Sequence, residues 1–139
     1  MNNHWHTNYR ADQDGETIFR YAIRPHGEYD QVAAAHFGVE STEPLIVAPA
    51  TGSAPSGSLV EISSGPILIT SLTPSADGQA LLARLYNTGQ SAAQATLKWN
   101  GVTPKGISLS DLSGLPGSRV SGATELLPYE VRTLRAQLK

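Results

Sequence analysis

Chain-breaking residues recur so often in this sequence that long regular elements have little room to form. Gly 13 and Pro 9 are spread through 139 residues, and these two residue types are the strongest local punctuators of helix and strand. What fits between them is a series of short strands joined by turns. Three pairs, Asp14-Gly15, Asp77-Gly78 and Asn100-Gly101, have the chemistry of two-residue hairpin turns, because Asn or Asp followed by Gly tolerates positive φ angles. Each lies beside an apolar segment, so antiparallel pairing is expected.

The intervening segments alternate with the period of a strand. Ile18 to Ile23 puts Phe19, Tyr21 and Ile23 on one face. Leu81, Ala83 and Leu85 share a face, with Leu82, Arg84 and Tyr86 on the other. Ala95, Leu97 and Trp99 alternate with Thr96 and Lys98. Leu45–Val47, Leu59–Ile62, Ile67–Leu72, Ile107–Leu109 and Val131–Ala136 are further candidates, the last two less regular. About eight strands, each half buried against a second layer, predict an all-β antiparallel sandwich.

One helical insertion interrupts this pattern. Asp30 suits an N-cap, Gln31 to Phe37 are mostly helix-compatible, and Gly38 suits the left-handed residue after a helix, which predicts about two turns. Residues 51–58 have too few apolar side chains to pack and read as a flexible loop; Ser110 to Gly122 reads as a second long connection. Residues 1–139 are thus expected to form a single domain. The N-terminus begins at once with an aromatic, histidine-rich segment rather than a polar lead-in, as expected of a piece of a longer protein.

Composition excludes several function classes. Lys+Arg 10 against Asp+Glu 12 gives a formal charge of -2, so there is no basic field to hold nucleic acid or an anionic membrane surface. With Cys 0, disulfides, thiolate metal sites and cysteine nucleophiles are absent. No apolar run could span a bilayer, and Met1 to His6 lacks a signal-peptide pattern, so a cytoplasmic location is favoured. There is no Gly-x-Ser-x-Gly elbow, phosphate loop or dinucleotide fingerprint. Asp12-Gln13-Asp14-Gly15-Glu16 imitates part of a calcium loop, but Arg10 and Tyr21 fall where ligands belong.

His4 and His6, two apart, would share a strand face and could chelate a metal only with a third ligand; membership of an aromatic surface with Trp5 and Tyr9 accounts for them better. His26 and His36 flank the helix with no carboxylate at a diagnostic spacing. Asp12, Glu16, Glu28, Asp30, Glu40 and Glu43 include pairs a glycosidase could use, yet their density is that of an ordinary surface. Aromatic residues concentrate early: Trp5, Tyr9, Phe19, Tyr21, Tyr29 and Phe37, interleaved with amides, His4, His6, Arg10 and Arg24. Flat rings beside such donors suit sugar recognition, and the same rings at strand spacing suit a core. Phe19, Tyr21 and Phe37 are expected inside, with Trp5 and Tyr9 open to either role.

The stretch Met1-Asn2-Asn3-His4-Trp5-His6-Thr7-Asn8-Tyr9-Arg10-Ala11-Asp12-Gln13, followed by Phe19-Arg20-Tyr21-Ala22-Ile23-Arg24-Pro25-His26-Gly27 and Tyr29-Asp30, resembles the C-terminal β-sandwich region of bacterial glycoside hydrolase family 38 proteins, which are α-mannosidase-like. Ile69-Thr70-Ser71-Leu72-Thr73-Pro74-Ser75 with Asp77-Gly78, then Leu85-Tyr86-Asn87, then Leu127-Pro128-Tyr129-Glu130-Val131-Arg132-Thr133-Leu134, are similar to the same region. The resemblance implies a zinc ion and an Asp nucleophile in a separate catalytic domain that this sequence does not contain. It implies no catalytic residue, metal or cofactor here. It further implies a domain that packs on the catalytic domain of a parent chain, with Trp5, His6, Asn8 and Tyr9 as candidates for the rim of its sugar site. A free-standing module that binds mannose-containing glycans or a protein is the alternative, and self-association of the isolated domain is expected.

Overall fold

The computed structural model describes residues 15, 16, 18–43, 47, 49, 52, 57–63 and 65–138. It is an all-β antiparallel sandwich carrying one helix. The helix is α1 (Gln31–Thr42); the strands are β1 (Val60–Ile62), β2 (Ile67–Pro74), β3 (Ala80–Asn87), β4 (Ala93–Ala95), β5 (Leu97–Trp99), β6 (Gly106–Ser110), β7 (Pro116–Val120), β8 (Thr124–Leu126) and β9 (Val131–Gln137). One layer is a five-stranded sheet in the order β2-β3-β9-β6-β7. The other is made of two ribbons, β1-β5 and β4-β8.

The core lies between these layers. Ile67, Leu85 and Leu134 from the large sheet meet Ala95 and Leu126 from a ribbon, with Ile62, Ile69, Leu97, Ile107 and Leu109 packed around them. Fully burying a side chain of the Leu kind is worth about 1.5–3 kcal/mol, so these few contacts dominate the cohesion of the two layers. In β3 the expected alternation holds from Leu82 on, since Ala83, Leu85 and Asn87 are buried while Leu82, Arg84 and Tyr86 are only partly so; Leu81, expected on the buried face, is partly buried and Ala80 is buried instead. In β2 the register shifts between Ile69 and Ser71. That bulge lets Ile69 stand opposite Leu85 and Leu72 opposite Ala83, although residues three apart in a regular strand face opposite ways.

Several expectations are corrected. The continuous strand expected over Ala95–Trp99 is two strands in two ribbons: β4 pairs with β8 and β5 with β1, and the chain changes partner at Thr96. The alternation survives this change because both ribbons present the same face to the core. Asn100-Gly101 does not close a hairpin, since it leads from the β1-β5 ribbon to the five-stranded sheet; Gly101 does turn with a positive φ of 75°. Asp77-Gly78 does close one, between β2 and β3, but through residues 75–79 rather than two residues. The connection expected from Ser110 to Gly122 contains β7. This edge strand opens with proline, where a missing donor is tolerated, and Gly117 lies where a Cβ would come 3.1 Å from the Leu109 carbonyl oxygen.

Asp30 caps α1 as expected: its Oδ1 accepts hydrogen bonds from the Val32 and Ala33 amides at 2.9 and 3.1 Å. The helix does not stop at Gly38, which lies inside it without the positive φ that ends a helix. It runs to Thr42, where the Glu43 amide donates to the Val39 carbonyl. Ile18 to Ile23 forms no strand; Phe19 and Tyr21, expected inside, are 55% and 75% exposed, and Phe37 is half buried. Alternation makes a strand only when another strand and a covering layer are at hand, and among the described residues no strand pairs with this segment. Val47 is likewise exposed and outside any strand, while Leu45, Ile46, Asp14 and most of 51–58 lie outside the described residues.

Candidate functional site

The residues named from the sequence as a sugar-site rim, Trp5, His6, Asn8 and Tyr9, lie outside the described residues, as does His4. Among the described residues no group of three or more His, Cys, Asp or Glu is placed to hold a metal ion. His26 and His36 do not share a carboxylate partner: the His26 Nδ1 stands 3.0 Å from the Gly27 carbonyl oxygen, and His36 is a half-buried residue of α1.

What the structure does build in this region is a cleft. Residues 24–30 fold back along the first half of α1 and leave a cavity of about 390 Å³. Arg24, His26, Glu28 and Tyr29 line it from the segment, and Ala33, Ala34 and Phe37 from the helix. The Arg24 guanidinium carbon sits 5.8 Å from the centre of the Phe37 ring, within the range of a cation–π contact. The small side chains of Ala33 and Ala34 give the cleft its depth. Arg24 and Tyr29 belong to the early aromatic-rich stretch of the sequence, whereas Phe37, expected in a core, lines the cleft instead.

Gln31 ties this region to the sandwich. Its Nε2 donates to the Thr88 carbonyl at 2.9 Å and to the Tyr129 hydroxyl at 3.0 Å, while its Oε1 accepts from Gln90 Nε2 at 2.9 Å. These contacts hold the first turn of α1, and with it the cleft, at the end of the sandwich where β3 leaves and β9 begins. Tyr129 has φ 58°, the positive-φ non-glycine position among the described residues, a conformation costing about 1 kcal/mol or more for such a side chain. It occupies the third position of the Leu127-Pro128-Tyr129-Glu130 turn, closed by a 3.1 Å bond from the Glu130 amide to the Leu127 carbonyl.

Three residues of the later motifs, Asp77, Asn87 and Glu130, are fasteners of this fold, while the motif over residues 1–13 lies outside the described residues. Asn87 is fully buried; its Nδ2 donates toward the carbonyls of Ser91, Leu126 and Leu127 at 2.8, 3.2 and 2.9 Å, and its Oδ1 accepts from the Gly89 amide. It thereby binds the end of the five-stranded sheet to the β4-β8 ribbon. Glu130 accepts from the Leu127 amide at 2.7 Å and from two nitrogens of Arg132; the Leu127 amide first, and then Arg132, lower its pKa against the opposing effect of burial. Asp77 accepts from the Ser75 hydroxyl, the Gln79 amide and Arg135, the last at 2.6 Å. The Ser75 hydroxyl above all, then the Gln79 amide and Arg135, bring its pKa down to about 2. Arg135 is 4% exposed and also donates to the Gly114 carbonyl at 2.8 Å.

The described residues thus define an all-β antiparallel sandwich whose polar side chains Asp77, Asn87 and Glu130 fasten strand ends. Comparison with known families gives the particular one. The family described as "Glycosyl hydrolases family 38 C-terminal beta sandwich domain" matches residues 66–134, which run from the start of β2 into β9, and this stretch belongs to that family. A crystal structure of apo exo-carrageenase GH42 from Bacteroides ovatus aligns with 58% of this chain and 11% of that chain, at 18% identity and a TM-score of 0.41. The present chain thus spans about a tenth of the length of that protein. No curated protein matches the chain.

Proposed function

We propose that this chain is the non-catalytic C-terminal sandwich of an α-mannosidase-like glycoside hydrolase, and that it packs against the catalytic domain of its parent chain. The observation that carries this reading is the family match over residues 66–134. It is supported by the structural use of Asn87, Asp77 and Glu130 within the matched region, where each fastens a strand end or a turn. In this reading the zinc and the nucleophile of the parent reside in the catalytic domain. Trp5, His6, Asn8 and Tyr9 reach the rim of its sugar site, and carbohydrate metabolism is the setting.

The test is the size of the native product, read with an antibody raised against residues 66–134. A band several times larger than 14.7 kDa is expected, together with α-mannoside hydrolysis by the purified parent and none by the isolated chain. A native band at the chain's own size would make it a free-standing module and overturn the packing role. Turnover by a clean preparation of the isolated chain would overturn its non-catalytic role.

A further inference from the structure

We infer that the cleft between residues 24–30 and α1 is a binding site for a neutral pyranose sugar. The cavity of about 390 Å³ is at the small end of ligand pockets, which span about 300–1,000 Å³, so it suits a monosaccharide unit or a short oligosaccharide. Its chemistry is mixed in the way a pyranose is mixed. Tyr29 is 72% exposed and presents a flat apolar surface that the C–H face of a sugar can cover. Arg24, held over Phe37, offers a planar fork of N–H donors, and the Glu28 carboxylate offers acceptors. Sugar hydroxyls both donate and accept, and so can satisfy the two together.

The lining also argues against a charged ligand. Arg24 shares the cavity lining with two carboxylates, Glu28 and Asp30, so there is no cationic excess to draw an acidic sugar. Asp30 is already committed, since its Oδ1 accepts the Val32 and Ala33 amides. The first turn of α1 therefore has its anion and needs none from a ligand. Gln31, next in sequence to Asp30 of the lining, bonds to Thr88 and Tyr129, so the site is attached to the sandwich rather than to a free-swinging arm.

The experiment is a titration of the isotope-labelled chain, followed by amide resonances, with methyl α-D-mannopyranoside, methyl β-D-glucopyranoside and glucuronate. Saturable shifts confined to residues 24–37 are expected with at least one neutral glycoside at millimolar concentration, with glucuronate weaker. Tyr29→Ala, a change at an exposed position that leaves the rest of the spectrum intact, should weaken binding about tenfold through loss of the stacking face. Arg24→Gln should weaken it as well. Absence of saturable shifts with both glycosides overturns the inference, and so do shifts confined to other residues, tighter binding of glucuronate, or full binding by Tyr29→Ala. The result is independent of the packing role: an empty cleft leaves the native size of the protein unchanged, and a free-standing product can still bind sugar.

Discussion

Residues 18–23 and residues 81–86 read almost alike as sequence, and the molecule treats them in opposite ways. Both alternate large apolar side chains over six positions. In β3 the alternation is answered on both sides, by β2 and β9 along its edges and by the ribbons across the core, and Ala83 and Leu85 have no exposed surface. In the earlier segment Ile18, Phe19, Tyr21 and Ile23 are between 55% and 89% exposed. A pleated apolar face is therefore only an offer of pairing. Stability comes from what accepts it, which is why an apolar pattern alone places a segment in a strand less reliably than the same pattern flanked by other strands.

The sharpest way to break this contrast is to delete apolar bulk from each region in turn. Leu85→Ala empties the centre of the core, and a loss of about 2–5 kcal/mol is expected for a buried leucine, read as the shift of a denaturant midpoint. Ile23→Ala removes comparable bulk from an exposed site and should change stability by no more than about 0.5 kcal/mol. Equal losses at the two positions would mean that the 18–23 segment is buried in solution by something not seen here, and the comparison would fall.

A second, smaller effect should appear on acidification and should belong to the sandwich. Asp77 has a folded-state pKa of about 2 against an ordinary 3.8, chiefly because the Ser75 hydroxyl, then the Gln79 amide and Arg135, favour its charged form. A depressed carboxylate binds its proton less readily when folded, so its contribution is complete above about pH 4 and is lost as the pH falls toward 2. Asp77→Asn should therefore lower stability at neutral pH and flatten the loss between pH 4 and 2, followed by thermal melts across that range. The variant would also leave Arg135, buried and bonded to Gly114, without its carboxylate. An unchanged acid limb would mean that Asp77 is equally charged in the unfolded chain and holds nothing.

Most of the sandwich was legible in its sequence because its strands are internally consistent. Ile67–Leu72 and Leu81–Tyr86 carry enough apolar residues to announce a buried face, Asp77-Gly78 announces the turn joining them, and Val131–Ala136, less regular in sequence, is buried without alternation from Thr133 to Ala136. What stayed hidden had weak or misleading local signals. In β7, Pro-Gly-Ser-Arg-Val is mostly exposed, and it exists because the backbone of β6 is there to pair with. In β8 there are three residues and one leucine. The length of α1 was hidden because Gly38 has a terminator's chemistry but not its conformation. The cleft was hidden for another reason: Arg24 and Phe37 lie thirteen positions apart in sequence, and nothing short of the fold brings them together. The role of Asn87 was equally unreadable, since its partners at Ser91, Leu126 and Leu127 are main-chain carbonyls.

The smallest expected change in stability belongs to the exposed segment, and there the informative readout is association rather than melting. Ile18, Phe19, Tyr21 and Ile23 place four large apolar side chains in water within six residues, a concentration that marks an interaction surface when it is contiguous. Among the described residues no strand pairs with this segment, which leaves backbone groups that another chain can take. The isolated chain should accordingly associate as its concentration rises, giving a mass by light scattering above 14.7 kDa. Tyr21→Ser together with Ile23→Ser should restore the monomer with stability changed by no more than about 0.5 kcal/mol per site. Association that persists in the double variant would move the sticky surface to the sandwich itself. A monomer at every concentration would show that exposure of these side chains costs the molecule nothing, and the two alternating segments would then differ in packing without differing in consequence.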